Sequence, residues 1–275
     1  MRPTSPGEWT TAPGGQAMSS EEVFRKGSAT APAGYFRWEA AGLAWLGAAP
    51  GGAPVAEVLD EAEDHLDLRR LVFANPDPAS AEALGAGLAR THDAGAPAFG
   101  AAPEGWEGDG YLGPVSELLP LPLRPVDTWG EFYAAQRILP VVAMAVDRGL
   151  YRRSDTAVFE AVARRVAGGE FDDGSTPARL HGDLWSGNVL WTPAGAVLID
   201  PAAHGGHRET DLAMLALFGC PHWDFVIGGY LEQHRLDSEW PRRVGLHQLH
   251  PLLVHAVLFG GDYAKRALEV ARRYR

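Results

Sequence analysis

Cysteine and long apolar runs are the two features that this sequence most clearly lacks. Its 275 residues include one cysteine, Cys220, which excludes an intrachain disulfide framework and fits a reducing compartment. The longest apolar candidate, "ILPVVAMAV", contains Pro140 and falls well short of the roughly 20 residues that span a bilayer. The opening "MRPTSPGEWTTAPGG" lacks the apolar segment of a secretory signal. These absences predict a cytoplasmic protein that does not act on a membrane.

Positive charge is also in short supply, and lysine is rare. The formal net charge is −11, which argues against general nucleic-acid binding because that function needs a basic surface. Only Lys26 and Lys265 are lysines among the 24 basic residues, so a lysine at a motif position is more informative than usual. The ten histidines show no zinc-type spacing.

Composition divides the chain into three parts. Residues 1–20 are rich in Pro, Gly, Ser and Thr, which predicts a flexible lead-in. Residues 21–75 carry the strand-like "EEVFRK", "APVAEVL" and "DHLDLRRLVF" around the helix-like "YFRWEAAGLAWLGAA", which predicts a small sheet-bearing lobe. Residues 76–275 follow the boundary signal "NPDP" and are predicted to form a larger, mostly helical lobe. The predicted fold class is α+β.

Two segments of the larger lobe give more detailed predictions. Ser80 is the candidate N-cap of its first helix, "AEALGAGLARTHDAG". The stretch "APAFGAAPEGWEGDGYLGPVSELLPLPLRP" is predicted to be a loop, and a loop this long in a compact domain is often functional.

The segment "LHGDLWSGNVLW", followed by "DPAAHGGHRETDLAML", carries the polar residues on which a functional assignment depends. Asp183 and Asn188 stand five residues apart, which is the Asp-x-x-x-x-Asn spacing of protein-kinase catalytic loops, and Asp200 follows the strand-like "AVLI". Phosphoryl transfer needs a carboxylate near the nucleophile and oxygen ligands for magnesium. We therefore predict Asp183 as the catalytic base and Asn188 and Asp200 as Mg²⁺ ligands.

Two plainer interpretations of these residues stay open. Asp183 and Asn188 could simply cap turns, as Asp and Asn often do. The histidines of "HGGHRE" and "HQLHP" could hold a metal, although neither pair has a matching third ligand nearby. The catalytic interpretation is favoured because the same pattern also contains His181, Gly182, Gly187 and Asp200.

Together with "HGDLWSGN", the segments "EFYAAQRILP", "IDPAAHGGHRETDLAM" and "LHPLLVHAVLFGGDY" resemble the fructosamine kinase (ketosamine 3-kinase) family, over about residues 26–263. The resemblance implies the protein-kinase-like two-lobe fold shared with aminoglycoside phosphotransferases and choline kinases. It also implies ATP and Mg²⁺, and phosphorylation of the 3-hydroxyl of a fructose or ribulose unit linked through C1 to an amine. The implied substrate is a free or protein-bound glycated amine, and the implied role is deglycation.

The resemblance also assigns residues of the small lobe to the nucleotide. Lys26 in "VFRK" matches the family's lysine strand and Glu39 its acidic helix residue, so their pairing is expected to aim Lys26 at the α- and β-phosphates. The segment "DLRRL" matches the connection between the lobes, where the main chain of Arg69, Arg70 and Leu71 would bind adenine.

The glycine-rich turn that covers the phosphates in relatives is short in this chain. Ten residues separate Gly15 from Lys26, which is too few for a long hairpin at ~3.3 Å per residue in each strand. We expect a trimmed phosphate-covering loop at Gly14 and Gly15. The alternative is that these glycines belong to a linker and that the cover is missing.

Four residues near the motif have further predicted roles. Trp185 could stack on the sugar or the amine substituent, or pack between the lobes, and Glu209 could reach the substrate amine. His181 is expected to brace the loop through hydrogen bonds. Asp211 is expected to anchor the helix that it begins and to support the loop.

Two other functions fit the same sequence. One is phosphorylation of an aminoglycoside or another small amino alcohol. The other is nucleotide binding by a pseudokinase, which the short glycine-rich region suggests and the intact Lys26, Asp183, Asn188 and Asp200 oppose.

Overall fold

The computed structural model describes residues 22–275. The predicted lead-in, residues 1–20, and the predicted loop at Gly14 and Gly15 lie outside the described residues. None of the helices within residues 22–275 combines the length and the apolar character that crossing a bilayer requires.

The small lobe is a three-stranded antiparallel sheet with one helix on it. Its strand order is β1-β3-β2, and its elements are β1 (Val23–Gly27), α1 (Tyr35–Gly47), β2 (Val58–Glu61) and β3 (His65–Arg69). Phe36 and Leu43 of the helix pack on Leu66 and Leu68 of β3. The predicted small mixed lobe is therefore present, although β2 starts at Val58, near the end of the predicted strand "APVAEVL".

The remaining described residues form a larger, mostly helical part. Its helices are α2 (Pro78–Asp93), α3 (Trp129–Phe132), α4 (Leu139–Asp147), α5 (Arg153–Ala167), α6 (Glu209–Phe218), α7 (Trp223–Gln233), α8 (Trp240–His247), α9 (Leu249–Phe259) and α10 (Asp262–Tyr274). Its strands form three antiparallel pairs, β4 (Gly110–Leu112) with β5 (Leu119–Leu121), β6 (Ala178–Leu180) with β9 (His204–Gly206), and β7 (Val189–Thr192) with β8 (Gly195–Leu198). The last two pairs flank the segments that carry the candidate catalytic residues and so position them.

Asp77, and not Ser80, caps helix α2. The Asp77 carboxylate accepts two hydrogen bonds from Ser80, one from the main-chain N–H at 3.0 Å and one from the side-chain hydroxyl at 2.6 Å. Pro78 begins the helix, where proline is tolerated because first-turn N–H groups have no partner within the helix. The predicted cap at Ser80 is therefore wrong by three residues, because Ser80 lies inside the first turn.

The predicted loop between α2 and α3 contains a β-hairpin. Strands β4 and β5 pair across it, with Leu112, Leu119 and Leu121 buried in the core of the larger part. Pro120 is exposed between two buried leucines, and a proline is compatible with a strand that has a free edge. The glycines and prolines of this segment argue against strands in the sequence. Burial against the rest of the fold stabilises the strands nevertheless.

Helices α3 and α4 are continuous through a π-helical turn, Tyr133–Ile138. Pro140 accounts for the irregularity, because it has no N–H to donate to the carbonyl of Gln136 four residues earlier. The Arg137 side chain donates to that carbonyl instead, at 3.1 Å. The chain is therefore helical from the start of α3 to the end of α4, with a bulge just before the proline.

Helices α2 and α7 approach each other through glycines. A Cβ on Gly85 would lie 1.9 Å from the carbonyl oxygen of Val226, and a Cβ on Gly229 would lie 2.2 Å from that of Glu82. A Cβ on the neighbouring Gly228 would meet no described atom within 4 Å. The close contact between the two backbones therefore depends on the missing side chains at Gly85 and Gly229.

We expect Gly229→Ala to lower the free energy of unfolding by about 1–3 kcal/mol, because the new methyl group must push the two helices apart. The matched control, Gly228→Ala, is expected to raise it by up to about 1 kcal/mol, since alanine is the better helix former. Urea unfolding followed by circular dichroism measures both changes. Equal effects of the two substitutions would contradict this account of the packing.

Candidate active site

The candidate catalytic loop runs from the end of β6 to the start of β7. His181 and Asp183 follow β6, and Asn188 immediately precedes β7. Ile199 ties the loop to the segment that carries Asp200. Its N–H donates to the Asn188 carbonyl at 3.1 Å, and its own carbonyl accepts from His181 Nε2 at 2.9 Å. These two bonds join the catalytic loop to the end of the β7–β8 hairpin, so the three predicted polar residues share one site.

The Asn188 amide is oriented by Asp183. Its Nδ2 donates to the main-chain carbonyl of Asp183 at 2.8 Å and to the Asp183 Oδ2 atom at 3.2 Å. Asn188 is buried, so these bonds hold the amide in one orientation. With the NH₂ group engaged in this way, the Oδ1 atom is left for a cation.

One carboxylate, that of Asp211, holds the start of the loop. It accepts the main-chain N–H groups of His181 at 2.8 Å and Gly182 at 3.0 Å, and it contacts the ring Nε2 of His92 at 3.1 Å. Burial alone would raise the pKa of Asp211, but its hydrogen bonds and the charge of His92 outweigh burial and lower that pKa. Asp211 therefore has the contacts that the predicted supporting role requires.

Two neighbours of Asp183 restrict the conformation of the loop. Gly182 has a φ of 82°, and a Cβ there would lie 2.1 Å from the carbonyl oxygen of Ala202, so only glycine fits. His181 is fully buried, and its Nδ1 accepts the Asp183 N–H at 3.3 Å. Burial lowers the pKa of His181, so the ring is a neutral brace in the structure.

Lys26 lies between two carboxylates from different parts of the fold. Its Nζ is 2.6 Å from Glu39 Oε2 on helix α1 and 2.8 Å from Asp200 Oδ1. Glu39 is buried, whereas 33% of the Asp200 side chain is exposed. Asp200 has a φ of 53°, a left-handed conformation that Asp tolerates better than most residues. The predicted partner of Lys26 is thus in contact with it, and so is the predicted metal ligand Asp200.

Burial and the charges of neighbouring side chains shift the pKa values of Lys26, Glu39 and Asp183. Burial would lower the pKa of Lys26, but the charges of Glu39 and Asp200 outweigh it and raise that pKa. Burial raises the pKa of Glu39, with Lys26 opposing. Burial and then the charge of Asp200 raise the pKa of Asp183 to about 7, and the hydrogen bond from Asn188 opposes only part of the shift. Asp183 is therefore suited to accept a proton near neutral pH.

The oxygen atoms of this site suit Mg²⁺. Asn188 Oδ1 and the Asp200 carboxylate are hard donors of the kind that this ion prefers. The exposed part of Asp200 leaves room for the water molecules that Mg²⁺ usually retains. The residues present therefore fit the predicted metal.

Glu209 is not placed to meet a substrate. Its side chain is 2% exposed and accepts from Arg243 Nε at 3.0 Å and Nη2 at 2.6 Å. His207 and His247 lie near enough to share a metal ion with Glu209, but the Arg243 cation already pairs with the carboxylate and would repel one. The structure therefore does not support the predicted contact between Glu209 and the substrate amine, because the Glu209 carboxylate is buried and already paired with Arg243.

The Trp185 ring lies over its own loop. A Cβ on Gly187 would lie 2.2 Å from the ring, so the glycine makes space for the indole. Trp185 is half-buried. Stacking of a substrate on its free part stays a prediction.

Of the three residues whose main chain is predicted to bind adenine, two have their N–H groups engaged elsewhere. The Arg69 N–H donates to the Glu57 carbonyl at 2.9 Å, and the Arg70 N–H donates to the Glu22 carbonyl at 2.8 Å. The Arg69 side chain also pairs with the Glu57 carboxylate. Within residues 22–275, Leu71 is the member of this set whose N–H is left for a nucleotide base.

Sequence reasoning missed two residues that shape the site. His92 contacts Asp211 across 119 residues of sequence, and no local pattern links them. Ile199 contributes only its main-chain atoms to the loop, so its side-chain type carries no signal.

The chain is similar to proteins named as fructosamine and ketoamine kinases. The sequence profile of the fructosamine kinase family matches residues 15–274. A Synechocystis sp. protein named "Probable ketoamine kinase" is 33% identical, over 80% of this chain and 70% of its own length. A provisionally assigned fructosamine-3-kinase from Thermobifida fusca, known as a crystal structure, is 48% identical with a TM-score of 0.83, over 91% of this chain and 84% of that chain.

A more distant structure extends the likeness of the fold. An ADP-bound aminoglycoside phosphotransferase has a TM-score of 0.55 and 11% identity, over 86% of this chain and 82% of that chain. At this identity the likeness concerns the fold alone. Together with the small sheet and helical remainder, it confirms the predicted protein-kinase-like fold.

We expect Asp183→Asn to stabilise the free protein at pH 8. The folded-state pKa of Asp183 is raised to about 7, so ionisation of this group opposes folding increasingly as the pH rises from about 4 to about 7. Removal of the charge should therefore raise the free energy of unfolding by on the order of 1–3 kcal/mol at pH 8, since one pKa unit corresponds to about 1.4 kcal/mol. The gain should shrink toward zero near pH 4.

Urea unfolding at the two pH values measures this difference. Asp127→Asn, which changes an exposed carboxylate of the larger part, is the matched control and should show no such dependence. A loss of stability at pH 8, or a gain of the same size at both pH values, would contradict the electrostatic account.

Proposed function

Because the chain belongs to the fructosamine kinase family, we propose that it is an ATP-dependent kinase that phosphorylates the 3-hydroxyl of fructosamine and ribulosamine adducts. The observation that carries the proposal is the meeting of Asp183, Asn188 and Asp200 with Lys26 from the small lobe. Phosphoryl transfer needs few other protein groups, since it proceeds mainly by positioning and charge stabilisation.

Asp183 is proposed as the general base. Its carboxylate accepts the proton of the acceptor hydroxyl while that oxygen bonds to the γ-phosphorus of ATP, and the bond from phosphorus to ADP breaks. The raised pKa of Asp183 matches proton transfer near neutral pH. Asn188 and Asp211 restrict where this proton acceptor can lie, the first through its side chain and the second through the start of the loop.

Asn188 and Asp200 are proposed to hold Mg²⁺, which when bound neutralises charge on the phosphates of ATP. Lys26 is proposed to contact the α- and β-phosphates while Glu39 holds it in place. The adenine base is proposed to bind the main chain at Leu71, with Arg69 and Arg70 contributing no more than their carbonyl groups. The nucleotide would thus lie between the small sheet and the catalytic loop.

The proposed acceptor is a ketosamine, either free or attached to a protein. Phosphate on the 3-oxygen destabilises such an adduct, so the proposed role is deglycation. Trp185, half-buried two residues after the base, is the aromatic surface proposed to stack on the sugar or the amine substituent.

Asp183→Asn is expected to lower kcat by ~10²–10⁴-fold, because the variant loses the proton acceptor. Its affinity for ATP should stay nearly unchanged, since an amide keeps the shape of the loop. A coupled assay of ATP consumption with fructoselysine measures turnover, and calorimetry measures nucleotide binding. Substantial turnover by the variant would show that Asp183 is not the base, whereas Asp127→Asn should behave as the wild type.

A panel of acceptors tests the substrate class. Fructoselysine and ribuloselysine are expected to accept phosphate at the 3-oxygen, which NMR of the products locates. Transfer to aminoglycosides but not to ketosamines would overturn the proposed substrate. Binding of Mg-ATP without transfer to any acceptor would favour the pseudokinase interpretation.

A further inference from the structure

Helix α1, which carries Glu39, packs into both parts of the fold. One face, with Phe36 and Leu43, lies on the small sheet. Trp38, the residue before Glu39, is 2% exposed and belongs instead to the core of the larger part, together with Leu112 of strand β4. A helix that contributes to two close-packed cores cannot shift against either of them without leaving a void.

The segment 105–121, which we name the α1 brace, packs against Trp38. The Tyr111 carbonyl accepts the Trp38 Nε1–H at 3.1 Å, and the Trp106 ring centroid lies 5.4 Å from that of Trp38. A Cβ on Gly110 would lie 2.5 Å from the Trp38 ring, so the backbone of the brace passes directly against the indole. The contact between the brace and Trp38 therefore depends on the flat indole ring and on the absence of a side chain at Gly110.

The brace also holds the turn that leads into α1. The Tyr111 hydroxyl donates to the Ala33 carbonyl at 3.3 Å, and Arg37 Nη2 donates to a carbonyl of the brace at 3.3 Å. A Cβ on Gly34, which has a φ of 80°, would lie 3.1 Å from the Trp106 ring. The brace therefore also fixes the start of helix α1.

The brace is itself fixed to the larger part. Leu112, Leu119 and Leu121 are all buried in that core, and the Leu123 N–H, just after the brace, donates to the Asp109 carboxylate at 3.1 Å. The core of the larger part therefore contacts the brace, and the brace contacts Trp38. Glu39 follows Trp38 directly in the chain, so its position is linked to that core.

The proposed role of Lys26 in nucleotide binding is the premise of this inference. We propose that the α1 brace sets the position of Glu39 and thereby holds Lys26 on the phosphates of ATP, with Trp106 as a positioning residue. Trp106 acts through Trp38, since its described ring contacts are with Trp38 and Tyr111. The Lys26–Glu39 distance of 2.6 Å leaves little tolerance for movement of the helix.

Trp106→Ala is expected to raise the Kd for Mg-ATP roughly tenfold or more, because misplacement of a positioning group by about 1 Å can cost up to ~10²-fold in activity. Calorimetry without an acceptor measures this, so the result does not depend on which ketosamine is used. In turnover assays the KM for ATP should rise while the KM for the acceptor changes much less.

Trp106→Phe is expected to restore most of the affinity, since it keeps a ring against Trp38. It also loses no hydrogen bond, because Trp106 Nε1 has no partner among the described residues. Phe171→Ala is the matched control. Phe171 is a half-buried aromatic of the larger part that packs on Tyr274, so its removal should cost stability without changing the Kd for Mg-ATP.

A double-mutant cycle separates positioning from general loss of stability. In the Lys26→Met background, Trp106→Ala should have little further effect on the Kd, because the ammonium group that the brace positions is gone. Unchanged affinity in folded Trp106→Ala, or an equal loss in both backgrounds, overturns the inference and leaves the proposed kinase activity standing. Absence of Mg-ATP binding by the wild type overturns both. If Trp106→Ala does not fold, Trp106→Leu replaces it with the same expected loss.

Discussion

One ammonium group, Lys26 Nζ, joins the parts on which the proposed site depends. It lies 2.6 Å from Glu39 on helix α1 and 2.8 Å from Asp200 beyond the β7–β8 hairpin, while Lys26 itself belongs to the small sheet. Without this cation the two carboxylates would repel each other in a place largely withdrawn from water. The relative positions of the sheet, the helix and the candidate catalytic loop therefore depend on a charge contact as well as on apolar packing.

The same acids make the free site electrostatically unfavourable. Burial, and after it the charge of Asp200, raises the pKa of Asp183. A cation at Asn188 and Asp200 would relieve this repulsion, so the groups that disfavour the free folded state are the ones that would favour a metal-bound nucleotide. The apolar contacts of helix α1 with both cores hold Glu39 in place without adding further charge.

Local sequence patterns predicted the central part of the site because its members lie close together along the chain. Asp183 and Asn188 come from one short loop, and the β7–β8 hairpin returns the chain so that Asp200 lies beside them. Lys26 was assigned through its match to the lysine strand of the family, and the rarity of lysine in this chain strengthened that match. The order of strand-like and helix-like segments likewise predicted the fold class, whereas the Ser80 cap and the loop around β4 and β5 were wrong in detail.

By itself, the sequence determined which groups are available and which short segments form strands, helices or loops, because these properties depend on neighbours within a few residues. Only the tertiary structure decided the partners of separated groups. Arg243 lies 34 residues from Glu209 in the sequence and pairs with its carboxylate, which is therefore not available to a substrate. The Tyr111 carbonyl accepts a hydrogen bond from Trp38, which lies 73 residues away. No spacing rule links such pairs, because their members lie far apart along the chain and meet only when the whole fold packs together.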